Sequence, residues 1–252
     1  MTVLVPSSMN SEPILEVQGL VKTYDGRPVV NQVHLDIRHA QISGLLGPNG
    51  AGKTTTFYMI AGLIPPEKGR VLFLGKDITD MPMHQRARLG MGYLPQEESI
   101  FRKLSVENNL LAVLETMRLT RGERQKRADA LLERFGIDKV RRSLAISLSG
   151  GEKRRLSIAR CLCTEPRLLL LDEPFVGIDP LAVQEIHSII REIRERDGLS
   201  ILITDHQVRE TLDIVDRASL MVDGEVMVEG SSDTLVNHPE ARRLYFGKDF
   251  KR

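Results

Sequence analysis

The eight residues Gly47-Pro48-Asn49-Gly50-Ala51-Gly52-Lys53-Thr54 satisfy the pattern G-x-x-x-x-G-K-[ST] in full. Glycines at these spacings let successive backbone N–H groups curl around a phosphate without Cβ clashes, and a helix starting at the lysine adds its N-terminal partial charge. Lys53 is expected to neutralise β- and γ-phosphates and the Thr54 hydroxyl to ligate Mg²⁺, with Thr55 counted among the nucleotide contacts. A second set begins with four leucines, Leu168 to Leu171, and ends in Asp172-Glu173. An isolated acidic pair is ordinarily a solvated turn. After an apolar run of strand length, the same pair lies at a strand end, where Asp172 can hold Mg²⁺ through its water shell. Glu173 can then orient and polarise an attacking water as general base.

The surrounding elements fit. Ile42 to Leu46 is short, apolar and unalternated, as expected of a strand buried on both faces, and leads into the glycine-rich turn. A helix follows from about Lys53 to Ala61, closed by Gly62. Ile14 to Tyr24 reads as a strand broken by the hairpin-type turn Asp25-Gly26, and Val33, Leu35 and Ile37 alternate with His34 and Asp36. Gly69 to Gly75 and Gly92 to Pro95 are further strand candidates. From about Ser105 to Thr164 the pattern is helical, with Ser105 as N-cap and Leu110, Leu111, Leu114 and Met117 on one face. A charge-laced helix is expected over Arg121 to Arg134. Ser200 to Thr204 restores a buried strand after a helix from about Leu181 to Arg196. The order is α/β, a helical insert, then α/β again.

Composition narrows the function. The 252 residues hold 35 Lys and Arg against 34 Asp and Glu, a net charge of +1, which disfavours nucleic-acid binding by bulk charge. The 41% apolar and 27% charged fractions are those of a globular chain. No apolar run approaches the roughly 20 residues of a membrane span. Residues 1–13 lack the pattern of a secretory signal and are expected to be a disordered lead-in. Cys161 and Cys163 suit no common zinc or redox spacing and read as small apolar side chains in a reducing compartment. The basic runs Arg118 to Arg127 and Lys153 to Arg155 read as solvated helix faces.

Leu148-Ser149-Gly150-Gly151-Glu152 taken alone is a capped, glycine-rich helix start. Together with the two sets above, it gives the chain, from about Ile14 to Phe250, a resemblance to ATP-binding cassette proteins. That resemblance implies an α/β P-loop NTPase core with an antiparallel β subdomain and an inserted α-helical subdomain. The core would span 14–96 and 165–230, the helical signature subdomain 97–164 and a C-terminal tail 231–252. It implies that Tyr24 stacks on adenine, that Gln96 touches Mg²⁺ and water, and that His206 contacts the γ-phosphate. Asp179 falls in the loop that crosses between paired subunits. The implied assembly is a head-to-tail homodimer with each ATP between residues 47–54 of one subunit and Ser149, Gly150, Gly151 and Glu152 of the other.

A family ATPase without spans docks on separate permease subunits through its Gln96 loop and helical lobe. Phe101, a large apolar side chain beside Arg102 in a polar loop, is either a core residue of that lobe or an anchor for a partner helix. Within the family, residues 93–102, 172–180 and 204–212 and the ending 243–250 look like the ATPases of lipopolysaccharide export. Gln207, where Asn is more usual, and Val176, where Ala is more usual, depart from that pattern. A branched-chain amino-acid importer ATPase and a soluble scaffold of the iron–sulfur assembly type are the alternatives.

Overall fold

Asp25 and Gly26, both with positive φ (49° and 75°), reverse the chain between β1 (Leu15–Tyr24) and β2 (Arg27–Ile37), as a two-residue hairpin turn requires. The computed structural model describes residues 12–178, 180–247 and 250. Most of the expected lead-in, and Asp179, lie outside them. β3 (Ile42–Leu46) precedes α1 (Lys53–Ala61), β4 (Lys68–Phe73), β5 (Lys76–Asp77), α2 (Met83–Arg88) and β6 (Met91–Leu94). Then come α3 (Val106–Leu114), α4 (Arg121–Arg134) and α5 (Gly150–Leu162). The chain returns to β7 (Leu168–Asp172), α6 (Pro180–Asp197), β8 (Ser200–Thr204), α7 (Val208–Leu212), β9 (Arg217–Val222), β10 (Glu225–Gly230) and α8 (Ser232–Asn237).

Two sheets result. β2-β1-β4-β5 is antiparallel. The second has the order β10-β9-β3-β8-β7-β6, parallel except for β10 at one edge. The parallel strands explain their own composition. Leu168 and Leu170 pack with Leu15, Val17, Phe57 and Ile60 between the two sheets. Leu169 and Leu171 pack on the opposite face with Leu110, Leu132, Leu156 and Ile190. A strand covered on both faces has no position for a polar side chain, hence its unbroken leucines. All the ends that leave β3, β7 and β8 point the same way, so their loops meet at one edge, the usual place for a site in such sheets.

The helical stretch is less continuous than its composition suggests. α3 ends at Leu114, so Met117 lies beyond it. Residues 135–149 form short 3₁₀ turns and a β-bridge between Ser105 and Leu144. The expected solvated face at Lys153 to Arg155 is also corrected. Lys153 pairs with Glu98 (3.1 Å), Arg155 pairs with Glu185 (2.6 Å), and Arg154 has its Nε and Nη2 buried. The cause is that α5 lies inside the lobe, packed on α3 and β6, with little of its surface turned to water. Both cysteines are free thiols, and burial pushes them up to about 11 (Cys161) and about 12 (Cys163), so they stay neutral.

Arg86, only 1% exposed, fastens the far end of α1. Its guanidinium donates to the carbonyls of Met59 (2.8 Å), Ile60 (2.6 Å), Met81 (2.7 Å) and Thr79 (2.9 Å). Two of these belong to the last turn of α1, where carbonyls lack helical partners and the helix dipole favours a cation. Replacing Arg86 by Ala removes all four of these bonds at once. Arg86→Ala is expected to destabilise the chain by about 3 kcal/mol or more, read as a lower urea midpoint with unchanged slope.

Candidate active site

The turn after β3 holds its shape through glycines that no other residue can replace. Gly52 has φ 91°, and a Cβ there would stand 2.3 Å from the Val29 carbonyl oxygen. At Gly47 the same atom would meet the Met221 carbonyl oxygen at 2.2 Å. α1 starts directly after Gly52 with no side-chain cap and no acidic residue in its first turn, so its free amides suit an anion. The Lys53 ammonium lies over the loop, donating to the Gly47 (2.8 Å) and Pro48 (2.9 Å) carbonyls. Burial lowers its pKa, and the carboxylates of Glu173 and Asp205 oppose that shift. Thr54 is exposed, Thr55 half-buried, and Asn49 and Gly50 form the exposed tip beside buried Ala51.

The ends of β7 and β8 bring the acidic groups to this loop. Asp172 is 2% exposed, and burial, then the charge of Glu173, pushes its carboxyl up to about 6. Glu173 adopts φ 45° and donates its N–H to the Thr204 carbonyl at 2.7 Å, which turns its side chain out of the strand. Its Oε2 accepts from the Gln96 amide at 2.8 Å and lies 3.4 Å from His206 Nδ1. Lys53, Asp172, Glu173, Gln96 and His206 thus form one group, drawn from four separate segments. A hydroxyl, a carboxylate and an amide carbonyl are the hard oxygen donors that Mg²⁺ prefers. Among the described residues no three or more His, Cys, Asp and Glu side chains are placed to hold a metal alone. Mg²⁺ in general takes one or two protein carboxylates and completes its shell with phosphate and water.

Other expected residues stand apart. Tyr24 is 45% exposed at the end of β1, with the Lys22 ammonium 5.7 Å from its ring centroid. Ser149 caps α5 in a reciprocal box, its Oγ accepting from the Glu152 N–H while the Glu152 carboxylate accepts from Ser149 N (2.8 Å) and Oγ (2.7 Å). Gly150 is exposed there, Gly151 half-buried, and Gly150 shares a cavity of about 180 Å³ with Gln96. Phe101 is 47% exposed under the Arg160 guanidinium, 4.6 Å from its ring centroid, which removes the core-residue reading. Arg102 pairs with Glu98 at 3.4 Å.

Several neighbours carry no pattern that marks them. Asp205, fully buried, accepts from the amides of Phe175 (3.1 Å) and Gln207 (2.8 Å), tying the chain after Glu173 to the loop of His206. Tyr93 donates to Asp172 Oδ2 at 3.3 Å. Tyr245 of the tail lies against the Gly47 backbone and toward Asp205, and burial pushes its phenol up to about 12. Each was visible only as a polar residue adjoining an expected element, such as Asp205 just before His206.

The sequence profile described as ABC transporter matches residues 30–176, more than half of the chain. The chain belongs to the ABC transporter family. It is 54% identical over 241 residues to a probable ABC transporter ATP-binding protein of Azorhizobium caulinodans, spanning 96% of this chain and 85% of that one. Identity is 50% to the lipopolysaccharide export system ATP-binding protein LptB of Acidithiobacillus ferridurans, over 94% of this chain and 98% of the relative. Among solved structures, cbiO1 of Clostridium perfringens, part of the ABC transporter complex cbiONQ, superposes with a TM-score of 0.84 at 31% identity. That match spans 92% of this chain and 94% of cbiO1. The family fold is that of a nucleotide-binding ATPase, an α/β P-loop core with antiparallel sheet and helical insert.

The raised pKa of Asp172 has a consequence for the metal-free protein. A carboxyl whose folded pKa lies above its unfolded value of about 3.9 favours folding while protonated. That contribution is full below pH 4 and is lost as pH rises through about 6. Asp172→Asn should therefore raise metal-free stability at pH 8 by on the order of 2 kcal/mol and change little at pH 4, measured by urea unfolding at both.

Proposed function

We propose that this chain is the Mg²⁺-dependent ATP hydrolase of a lipopolysaccharide exporter. In this reading it works as a head-to-tail homodimer docked on two membrane permease subunits at the cytoplasmic face of a Gram-negative inner membrane. The observation that carries the catalytic reading is the convergence of Gln96 and His206 on one oxygen of Glu173, beside Asp172 and the Lys53 loop. The cargo reading rests on 50% identity to an LptB along nearly its whole length. No helix among the described residues is long and apolar enough to cross a membrane, which suits a subunit whose partners provide the path.

The roles follow from the chemistry of each group. The amides of 47–53 and Lys53 bind and orient the triphosphate. Thr54, Asp172 and the Gln96 amide oxygen would hold Mg²⁺, which neutralises phosphate charge when bound. Glu173 accepts the proton of the attacking water, and the Gln96 amide and His206 keep its carboxylate aimed. Tyr24 offers a ring face to adenine. Ser149 to Glu152, and Asp179 in the crossing loop, serve the second subunit's nucleotide. ATP is then part of the dimer contact, so its hydrolysis loosens that contact. We divide the chain into a core (14–96 and 165–230), a helical lobe (97–164) and a tail (231–252). A groove of about 330 Å³ between core and lobe, lined by Met83, Ala87, Pro95 and Val113, opens near Phe101 and Arg102 and would receive a permease helix.

Glu173→Gln is expected to bind ATP as the native chain does while turnover falls by about 10²–10⁴-fold and the ATP-bound dimer accumulates. ATPase assays with gel filtration check this, and native turnover in the variant would overturn the base assignment. Phe101→Ala should keep ATP affinity and lose assembly with the permease subunits in pull-downs from native membranes. Recovery of importer subunits by the unaltered chain would displace the lipopolysaccharide reading.

A further inference from the structure

Asp172 has a partner that the roles above leave unused. Tyr93, in β6, reaches across to donate its phenol to Asp172 Oδ2 (3.3 Å). The two side chains meet because β6 pairs with β7 in parallel, with Tyr93 opposite Leu170, so Tyr93 and Asp172 stand on the same sheet face. The Tyr93 ring is held in place by Phe57 of α1, with centroids 6.1 Å apart. Tyr58, also in α1, brings a second phenol alongside, and burial and the Asp172 charge hold both phenols in the neutral, donating form.

The position of Tyr93 in the fold gives the contact a second meaning. β6 is the outermost strand of its sheet, with β7 as its partner strand. Tyr93 also lines the groove between core and lobe, together with Met83, Ala87, Val113 and Cys161. Its carbonyl accepts from Cys161 Sγ of α5 at 3.5 Å, so it touches the lobe as well as the core. Gln96 follows three residues later.

We propose that Tyr93 is the positioning residue for the Asp172 carboxylate and that, through it, occupation of the groove adjusts how tightly the site holds its divalent cation. This rests on the assignment of Asp172 to the metal. An edge strand displaced by a partner shifts its side chains with it, and a phenol already at 3.3 Å is readily lost or tightened by a few tenths of an ångström. Residues that orient metal-binding carboxylates typically change metal affinity by about 10–100-fold when removed.

The test is a Mn²⁺ titration of the full-length chain saturated with ADP, followed by electron paramagnetic resonance, with Tyr93→Phe and Asp172→Asn in parallel. Tyr93→Phe should weaken Mn²⁺ binding about tenfold, with unchanged melting temperature and unchanged ADP affinity in the presence of a chelator. Native Mn²⁺ affinity in Tyr93→Phe, with weakened affinity in Asp172→Asn, overturns the role of Tyr93 alone. Native affinity in Asp172→Asn overturns the metal assignment beneath it. Assembly with the permease subunits should shift the Mn²⁺ affinity of the native chain and leave that of Tyr93→Phe unmoved, and an equal shift in both, or none in the native chain, overturns the link to the groove.

Discussion

Three carboxylates, Asp172, Glu173 and Asp205, meet at the ends of β7 and β8 beside one ammonium, Lys53, in surroundings that exclude most water. Concentrating like charge in low dielectric is costly, and the structure records the cost. Burial raises the Asp172 and Asp205 carboxyls and lowers the Lys53 ammonium. Much of the rest of the fold answers to this constraint. Asp205 is offset by two backbone amides and Asp172 by a phenol, while Glu173 is turned outward by a left-handed backbone. The three carboxylates thus face a single ammonium, and the place is short of positive charge.

The same constraint explains why the site is built from strand ends. Parallel strands deliver side chains to one edge with ångström-scale regularity, and their leucine faces exclude the water that would dissipate the charges. Loops then need only short tethers: Glu173 N to the Thr204 carbonyl, and the Gln207 amide to the Phe175 carbonyl at 2.8 Å. The segment after Glu173 and the segment of His206 are thus one hydrogen-bonded unit.

Much of this was legible in the residue order. The leucines of β7, the glycines of the phosphate loop and the Asp25-Gly26 turn each have a local cause, so short stretches sufficed to place them. Lys53, Asp172 and Glu173 followed from motifs whose chemistry is tied to spacing, and Gln96 and His206 from the family resemblance. What escaped notice depends on tertiary placement. Tyr93 differs from other tyrosines only by what lies across the sheet, and Asp205 only by the amides that two loops turn toward it. Lys153 to Arg155 looked solvated because a charge run carries no mark of the helix being central. The tail gave no hint that Tyr245 would settle on Gly47, roughly 200 positions earlier, since long-range packing leaves no local periodicity.

The strand order has a further consequence for how the protein is made. β3, which carries the phosphate loop, lies between β8 and β9, and both are encoded far downstream. At ordinary elongation rates roughly 150 residues separate the emergence of β3 from that of its first sheet neighbour, a delay on the order of ten seconds. Throughout that interval the apolar run Ile42 to Leu46 has both edges unsatisfied, a template for pairing with other chains. The hairpin of β1 and β2 and then α1 are already out, and the same apolar surfaces of α1 that later join the sheets can shield the waiting strand. The ribosome thus releases the phosphate loop early, but the sheet that makes it rigid can close only once β8 and β9 have emerged.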